Sequence, residues 1–310
     1  MNKSIKIIFM GTPVFGEIVL EKLINEFSVV LVVTQPDKRG KRGNSLTFSP
    51  VKELALKHNI PIFQPESIKE DNELIMNISC DFIVTAAYGQ FIPNKILKHP
   101  LYKTLNVHGS LLPKYRGGAP IQRAIMNGDK VLGVSIMETV LKMDSGNIYT
   151  QNEVLLNDDD TTSSMMEKLA LIGSNSLVTV VNNIVSDNIE SIPQDEALAT
   201  YSPNIEKSEE IIDFNKDATI IHNQIRALYD NPIARFNHNS VIYKVYKSKV
   251  IENDDDIEAG TIISNDKELI IKCGVNAISI LKIQSPGKNV LDIEDFLNGK
   301  RKEFKLMDRV

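Results

Sequence analysis

Apolar residues along the first half of the chain occur in short, nearly continuous runs that alternate with stretches of helical periodicity. A run of four to eight apolar residues between turn residues is typical of a strand buried on both faces. The apolar runs are SIKIIFM (4–10), VVLVVT (29–34), DFIVTAAYG (81–89), LNVH (105–108) and GVSIMETV (133–140). Segments with apolar residues at helical spacing separate most of them. This alternation predicts an α/β fold with a doubly wound, mostly parallel sheet, which we call Rossmann-like.

The pattern changes after about residue 188. A polar stretch with two prolines follows, and beyond it short β-rich runs are separated by Gly, Asn and Asp turns. Several short strands within about 80 residues favour a small antiparallel barrel. We therefore predict an N-terminal α/β domain over 1–188, a linker over 189–207 and a small β-barrel domain over 208–310.

Composition limits the classes of function. The net charge is −5, which argues against a general nucleic-acid coat. One stretch departs from this acidic average, because Lys38, Arg39, Lys41 and Arg42 crowd into the glycine-rich sequence DKRGKRG. The opening residues lack a signal-peptide pattern and no apolar stretch approaches the length of a membrane span. We expect a cytoplasmic protein without a membrane partner.

Candidate chemistry lies where the predicted strands end. Ligands of open parallel sheets bind beyond the carboxyl ends of the strands, and Asn106, His108 and the pair Tyr88-Gly89 occupy such ends. Asp144 follows the 133–140 strand and is expected at the same edge. Asn106 and His108 are two residues apart on one strand, so their side chains should share one face.

These residue types suit acyl transfer to an amine. An imidazole moves protons near neutral pH, a carboxylate favours the imidazolium, and a side-chain amide donates to an oxyanion. The sequence has no G-x-S-x-G turn and no Cys beside the His, which favours direct transfer between two bound substrates. Neither cysteine belongs to a Cys/His cluster, and we expect no metal site.

Several motifs together resemble the folate-dependent formyltransferases. The resemblance rests on Asn-x-His at a strand end, on SLLPKYRGGAP (110–120) and on an Asp in the MDSG loop. Further similar segments are FMGTPVFG, TQPDKRGKRGNSLTFSPVKELA, AAYGQFIP, YSPNIEKSEEIIDF and GKNVLDIEDFLNGKR. They extend over nearly the whole chain.

The resemblance implies an activity, which is transfer of the formyl group of 10-formyltetrahydrofolate to the amino group of methionine on initiator tRNA. It implies that Asn106, His108 and Asp144 are catalytic. It also assigns two groups of binding residues. Folate-binding residues would be Ser110, Leu111, Leu112, Pro113, Tyr88 and Gly89, and tRNA-binding residues would be Lys38, Arg39, Lys41 and Arg42. The second domain would be an OB-like barrel that binds tRNA, and we expect a monomer.

Two alternatives remain open at this point. One is a formyltransferase that acts on a small amine, such as a nucleotide-linked amino sugar or glycinamide ribotide, because the chemistry of the site would be the same. The other is a non-catalytic RNA-binding protein, which predicts no role for His108. The basic loop together with a barrel domain favours a tRNA substrate over the small amine.

Overall fold

The computed structural model describes residues 2–39 and 46–310. The chain divides into two compact units, which are described separately below. The N-terminal unit comprises Met1–Pro120, Val131–Leu155 and Met165–Pro203, and the C-terminal unit comprises Ile121–Lys130, Leu156–Ser164 and Asn204–Val310. The predicted boundaries at 188 and 208 stay a prediction.

The N-terminal unit is built on a seven-stranded sheet in the order β5-β2-β1-β6-β7-β8-β9. Its strands are β1 (Lys6–Gly11), β2 (Ser28–Val33), β5 (Ile62–Phe63), β6 (Phe82–Ala86), β7 (Lys103–His108), β8 (Val131–Glu138) and β9 (Ile148–Leu155). A separate two-stranded ladder pairs β3 (Lys38–Arg39) with β4 (Leu46–Thr47). The five strands β5, β2, β1, β6 and β7 are parallel, which confirms the predicted mostly parallel sheet.

The helices of the first 185 residues are α1 (Val14–Glu26), α2 (Pro50–Lys57), α3 (Glu73–Met76), α4 (Asn94–Leu97), α5 (Pro120–Met126) and α6 (Thr162–Val185). Ser49 caps α2, since its hydroxyl accepts a hydrogen bond from the Lys52 N–H at 3.1 Å and Pro50 occupies the first helical position. By length and composition alone, α6 is the one helix in the described part of the chain that could cross a membrane. Buried helices of globular proteins meet the same criteria, and Leu169 and Leu177 are fully buried here.

Two glycines allow the first helix to approach the sheet closely. A Cβ on Gly11 would lie 2.8 Å from the Ala86 carbonyl oxygen, and one on Gly16 would lie 2.9 Å from the same atom. Real Cβ atoms essentially never approach a backbone oxygen so closely, so these positions require glycine. The turn between β1 and α1 is therefore shaped by packing against the end of β6.

The last two strands of this sheet run in directions that the sequence did not predict. β8 is antiparallel to β7, with His108 opposite Ser135 and Leu105 opposite Glu138. β9 is antiparallel to β8 and was not predicted at all, because its alternating exposure resembles that of a polar loop. The carboxyl end of β8 therefore lies at the amino edge of the parallel strands, opposite to the edge at which β7 ends.

The C-terminal unit contains a six-stranded sheet, and the antiparallel pairing of its strands confirms the predicted antiparallel architecture. Its strands are β10 (Arg235–His238), β11 (Val241–Ile251), β12 (Ile262–Ser264), β13 (Leu269–Lys272), β14 (Ala277–Gln284) and β15 (Val290–Asp292). The long strands β11 and β14 pair through two register irregularities and form the centre of the sheet. Helices α7 (Ala218–Ala227) and α8 (Ile293–Lys300) accompany the sheet, and neither β15 nor α8 was predicted.

The core of this unit is rich in aromatic rings. Phe236, Tyr243, Phe296 and Phe304 are all buried, and their rings contact one another with centroids 5.1–6.5 Å apart. Phe214 packs edge-on against Phe236 at 5.7 Å. Aromatic pairs in these geometries add about 0.5–1.5 kcal/mol each beyond the burial of their area. The aromatic side chains therefore supply much of the packing that a small β-sheet needs.

Candidate active site

The carboxyl ends of the parallel strands are tied together by hydrogen bonds to one carbonyl group. Thr12 follows β1 and Gln35 follows β2, and their side chains both donate to the Tyr88 carbonyl oxygen after β6, each at 3.1 Å. β7 lies next to β6 in the sheet, so Asn106 and His108 come to the same edge. This edge is where an open parallel sheet binds its ligands.

Asn106 is oriented by the neighbouring strand. Thr85 on β6 is its partner in the parallel register, and the Thr85 hydroxyl donates to Oδ1 of Asn106 at 2.8 Å. Among the residues that the structure describes, none accepts a hydrogen bond from Nδ2 of Asn106. The side chain is half-buried, so its two N–H donors are held in place and remain available for a carbonyl oxygen or an oxyanion.

His108 is the last residue of β7 and its side chain is only 6% exposed. Its Nε2 donates to the Tyr115 carbonyl oxygen at 2.9 Å. A neutral imidazole carries one proton, so this bond leaves Nδ1 as the unprotonated nitrogen. Nδ1 lies 3.8 Å from Oδ2 of Asp144. The histidine is thus arranged to accept a proton at Nδ1 beside a carboxylate that stabilises the resulting charge.

Asp144 reaches the histidine by a route that differs from the predicted one. We expected it at the carboxyl end of a parallel strand, which is wrong because β8 runs antiparallel and ends at the opposite edge. The loop between β8 and β9 instead brings Asp144 back to the site. The Gly117 N–H donates to Oδ2 of Asp144 at 2.8 Å, and the residue itself adopts a left-handed conformation with φ 46°. Asp and Asn tolerate this region better than most residues.

The segment Ser110–Pro113 is held from both sides. The Ser135 hydroxyl donates to the Ser110 carbonyl at 2.6 Å and accepts from the Leu112 N–H at 3.2 Å. Gln151 donates to the Leu112 carbonyl at 2.9 Å, and the Ser110 hydroxyl donates to the Lys114 carbonyl at 2.6 Å. Sequence analysis missed Ser135 and Gln151, because only the antiparallel pairing of β8 and β9 places them beside this segment.

Tyr88 and Gly89 differ in their exposure to solvent at the carboxyl edge of the sheet. The Tyr88 ring is 4% exposed and packs in the apolar core, where burial raises the pKa of its phenol. Gly89 is exposed and has φ +88°, a conformation that glycine adopts without strain. The backbone of residues 87–89, and not the Tyr88 side chain, is therefore what a ligand could contact.

The basic stretch lies only partly within the described residues. Lys38 and Arg39 form β3, whose pairing with Leu46 and Thr47 closes the base of the loop. Lys41 and Arg42 lie outside the described residues. Asp37, immediately before the loop, accepts hydrogen bonds from Lys52 and from Gln64. These contacts anchor the loop after β2, at the carboxyl edge where Asn106 and His108 are found.

A buried arginine was not anticipated from the sequence. Arg116 is fully buried, and its guanidinium donates to Oε1 of Gln194 at 2.8 and 3.1 Å and to both carboxylate oxygens of Glu196. The hydrogen bonds from Arg116 and from Lys142 lower the pKa of Glu196 to about 2. The partners of Arg116 belong to the stretch predicted as a linker, whose polar sequence offered no signal of this contact.

The side chains that commonly bind metal ions are scattered in the described part of the chain. Within 2–39 and 46–310 no group of three or more His, Cys, Asp and Glu side chains could hold a metal ion. Cys80 and Cys273 are both buried, and burial is the main reason why the pKa of each thiol is raised to about 12. Neither thiol is a reactive nucleophile at neutral pH.

Comparisons with known proteins identify the family of this chain. The family model for formyl transferase matches residues 3–181, and that for the formyl transferase C-terminal domain matches residues 204–301. The chain is 42% identical over 308 residues to a methionyl-tRNA formyltransferase of Lactobacillus johnsonii, covering 98% of each chain. It is 43% identical over 308 residues to one of Streptococcus thermophilus, also covering 98% of each.

A solved structure shows the same fold at lower identity. An N-formyltransferase from Helicobacter canadensis, in complex with folinic acid and dTDP-3-aminofucose, superposes with a TM-score of 0.68 at 21% identity, covering 91% of this chain and 99% of the other. Because both family models match and curated relatives exceed 40% identity along the full length, the chain belongs to the formyl transferase family, among the methionyl-tRNA formyltransferases.

Proposed function

We propose that this protein transfers the formyl group of 10-formyltetrahydrofolate to the α-amino group of methionine carried by initiator tRNA. The observation that carries the proposal is the identity of 42–43% over 98% of the chain to relatives named methionyl-tRNA formyltransferase. The geometry supports it, because an unpaired amide donor and a histidine–carboxylate pair meet at the ligand-binding edge of the sheet.

Asn106 and His108 divide the chemistry between them. The Nδ2 group of Asn106 donates to the formyl oxygen, which becomes negative as the methionine nitrogen attacks the formyl carbon. His108 accepts the amine proton at Nδ1, and its Nε2–H stays bound to the Tyr115 carbonyl. Asp144 stabilises the imidazolium from 3.8 Å. The carbon–nitrogen bond to the folate then breaks, and His108 returns the proton to that leaving nitrogen.

The donor set of this chain fits the folate cosubstrate. Asn106 keeps both N–H groups of its amide for a carbonyl oxygen, as a formyl group requires. We assign folate contacts to residues 110–113 and to the backbone of Tyr88 and Gly89. The rigid hydrogen bonding of Ser110 and Leu112 supports this assignment, because a fixed segment binds a ligand without losing conformational entropy.

The tRNA would contact the basic loop and the C-terminal unit. Lys38, Arg39, Lys41 and Arg42 are assigned to the acceptor end, since cationic side chains bind phosphates independently of base sequence. The exposed lysines of β11 offer further phosphate contacts, and these are Lys244, Lys247 and Lys249. The proposal includes a monomeric, cytoplasmic protein with domains at 1–188 and 208–310.

The small-amine alternative is less well supported. The Helicobacter canadensis enzyme shares the fold at 21% identity, and a likeness at that level shows the fold and not the substrate. The curated relatives with twice that identity are named for methionyl-tRNA.

The decisive experiment compares acceptors. The purified protein is given 10-formyltetrahydrofolate with methionyl initiator tRNA, with methionyl elongator tRNA or with a nucleotide-linked amino sugar, and formyl transfer to each is measured. We expect kcat/KM for the initiator to exceed that for the elongator by at least about tenfold, which corresponds to about 1.4 kcal/mol of differential binding. Faster transfer to the amino sugar would refute the proposal.

A further inference from the structure

We infer that Gln194 is a positioning residue that holds Asp144 against His108, and this inference rests on the proposed function. Gln194 lies 50 residues from Asp144 in sequence, within the polar stretch predicted as a linker. Its amide connects a fully buried arginine to the loop that carries the catalytic carboxylate. All of these residues belong to the N-terminal unit.

The nitrogen and the oxygen of the Gln194 side-chain amide bind different parts of the protein. Its Nε2 group donates to the backbone carbonyls of Asp144 at 2.8 Å and of Gly146 at 2.7 Å. Its Oε1 accepts from Nε and Nη2 of Arg116 at 3.1 and 2.8 Å. Both N–H donors and the oxygen are thus used, so the amide has a single orientation in the site.

Arg116 provides the fixed point for this contact. Its side chain is fully buried, and its backbone N–H and carbonyl pair with Thr200 and Ser202 at 2.9 and 2.7 Å. Arg116 also lies between the two residues that bind the catalytic pair. Tyr115 accepts the hydrogen bond from His108, and Gly117 donates to the Asp144 carboxylate.

Asp144 needs such support because of its own conformation. It adopts φ 46° in a loop that returns from the far end of β8, and its neighbours Leu141 and Met143 are exposed. The Gly117 N–H holds the carboxylate, while Gln194 holds the backbone on either side of Ser145. Without the hydrogen bonds from Gln194, Asp144 would be held only by the Gly117 N–H at its carboxylate. Displacements of about 1 Å in a catalytic group cost on the order of 100-fold in rate.

The substitution Gln194→Glu separates the two ends of the amide. A glutamate still accepts from Arg116, but it cannot donate to the Asp144 and Gly146 carbonyls and instead places negative charge beside them. We expect kcat to fall by about 10- to 100-fold, with KM for the folate and for tRNA changed less than about threefold. The matched control is Ala197→Glu, which adds the same charge at an exposed position of the same stretch and should leave kcat unchanged.

A double-mutant cycle tests whether the effect passes through Asp144. In an Asp144→Asn background, Gln194→Glu should change kcat less than about threefold, because residues that act as one unit are not additive. An unchanged kcat in the single mutant, or an equal loss in both backgrounds, would overturn the inference. If Gln194→Glu does not fold, Gln194→Asn serves by the same criteria, since its shorter side chain cannot reach Arg116 and both carbonyls together.

A measurement without catalysis separates this inference from the proposed function. In protein labelled with ¹⁵N-histidine, the His108 resonances, assigned by their loss in His108→Ala, should shift in Gln194→Glu and not in Ala197→Glu. If the wild-type protein fails to formylate charged tRNA but these resonances shift, the proposed function is wrong and the positioning role stands. Unshifted His108 resonances would overturn the positioning role whatever the activity.

Discussion

At the scale of single residues, the hydrogen bonds that Asn106 and His108 already make determine which of their side-chain atoms remain available to a substrate. Oδ1 of Asn106 is bound by Thr85, and Nε2 of His108 is bound to the Tyr115 carbonyl. The atoms that remain, Nδ2 of Asn106 and Nδ1 of His108, are the ones that the proposed formyl transfer uses. In that proposal, neighbouring groups select the reacting atom of each side chain before any substrate binds.

Replacing His108 by alanine should remove the proton acceptor, while the Tyr115 carbonyl keeps the hydrogen bond that the Ser202 hydroxyl donates at 3.0 Å. We expect kcat to fall by about 10²- to 10⁴-fold, the usual contribution of a general acid–base group, with folate binding nearly unchanged. Turnover and folate affinity are measured beside His58→Ala, which removes an exposed imidazole at the end of α2. A loss of less than about tenfold would make His108 a structural residue.

Replacing Asp144 by asparagine should preserve the loop between β8 and β9 and remove the negative charge beside His108. The oxygen that accepts from the Gly117 N–H is also the one that faces Nδ1 of His108, so an asparagine with its oxygen in this place keeps the hydrogen bond and presents a neutral group to the imidazole. We expect at least a tenfold lower kcat, since the positive charge that develops on His108 loses its carboxylate partner. Asp187→Asn, at an exposed left-handed aspartate, is the control. Full activity of Asp144→Asn would show that His108 works without this carboxylate.

At the scale of secondary-structure elements, the parallel strands bring distant loops to one edge. β1, β2 and β6 end at residues whose side chains or carbonyls are hydrogen-bonded to one another, and the basic loop begins a few residues after β2. The loop between β8 and β9 joins this edge only by returning from the opposite one. Element order along the chain and element direction together decide which loops form the site.

At this scale we predict that the basic loop after β2 contributes to tRNA binding. Changing Lys41 and Arg42 to alanine should lower kcat/KM for charged tRNA and leave folate binding almost unchanged. The slope of log affinity against log salt should become shallower by up to about one unit per lost phosphate contact. Lys57 and Lys98 precede β5 and β7, at the amino edge of the sheet, so their double alanine variant removes equal charge far from the site. Equal slopes in both variants would exclude the loop from tRNA binding.

At the scale of the whole molecule, the C-terminal unit is assembled from three separate stretches of chain. Arg226 on α7 is 6% exposed and donates to the Asn157 and Asp160 carbonyls at 3.0 and 3.3 Å. Thr162 donates to the Ala227 carbonyl at 2.6 Å in the same region. Residues 156–164 are therefore fastened to α7 by buried hydrogen bonds rather than by apolar packing alone.

Removing the Arg226 guanidinium should destabilise this assembly. Arg226→Met removes the hydrogen bonds that the guanidinium donates to these carbonyls, at a cost of about 1–3 kcal/mol in the free energy of unfolding, as measured by urea denaturation. The control is Lys130→Met, which breaks an exposed ion pair with Asp158 at 3.5 Å and should cost less than about 1 kcal/mol. If the two variants lose equal stability, the buried hydrogen bonds do not hold the segment.

Prediction from the sequence succeeded where the signal is local. Apolar runs located β1, β2, β6, β7 and β8 to within a few residues, and turn residues separated most strands of the C-terminal sheet. It failed at β9, whose alternating exposure gives a half-polar sequence, and at α8, a short helix in a charged stretch. The types of the candidate site residues were visible because polar side chains are unusual at the end of a buried strand.

What the sequence by itself determined is the set of elements and the chemistry of each residue, since burial periodicity and side-chain type are local properties. Only the tertiary structure decided that β8 runs antiparallel, that Asp144 returns to His108 and that Gln194 reaches Arg116. These contacts join residues that are far apart in the sequence. Asp144 is 27 residues from Gly117, 36 from His108 and 50 from Gln194, and Gln194 is 78 residues from Arg116. The physical reason is that a buried donor or acceptor must find a partner wherever the packing of the whole chain places one.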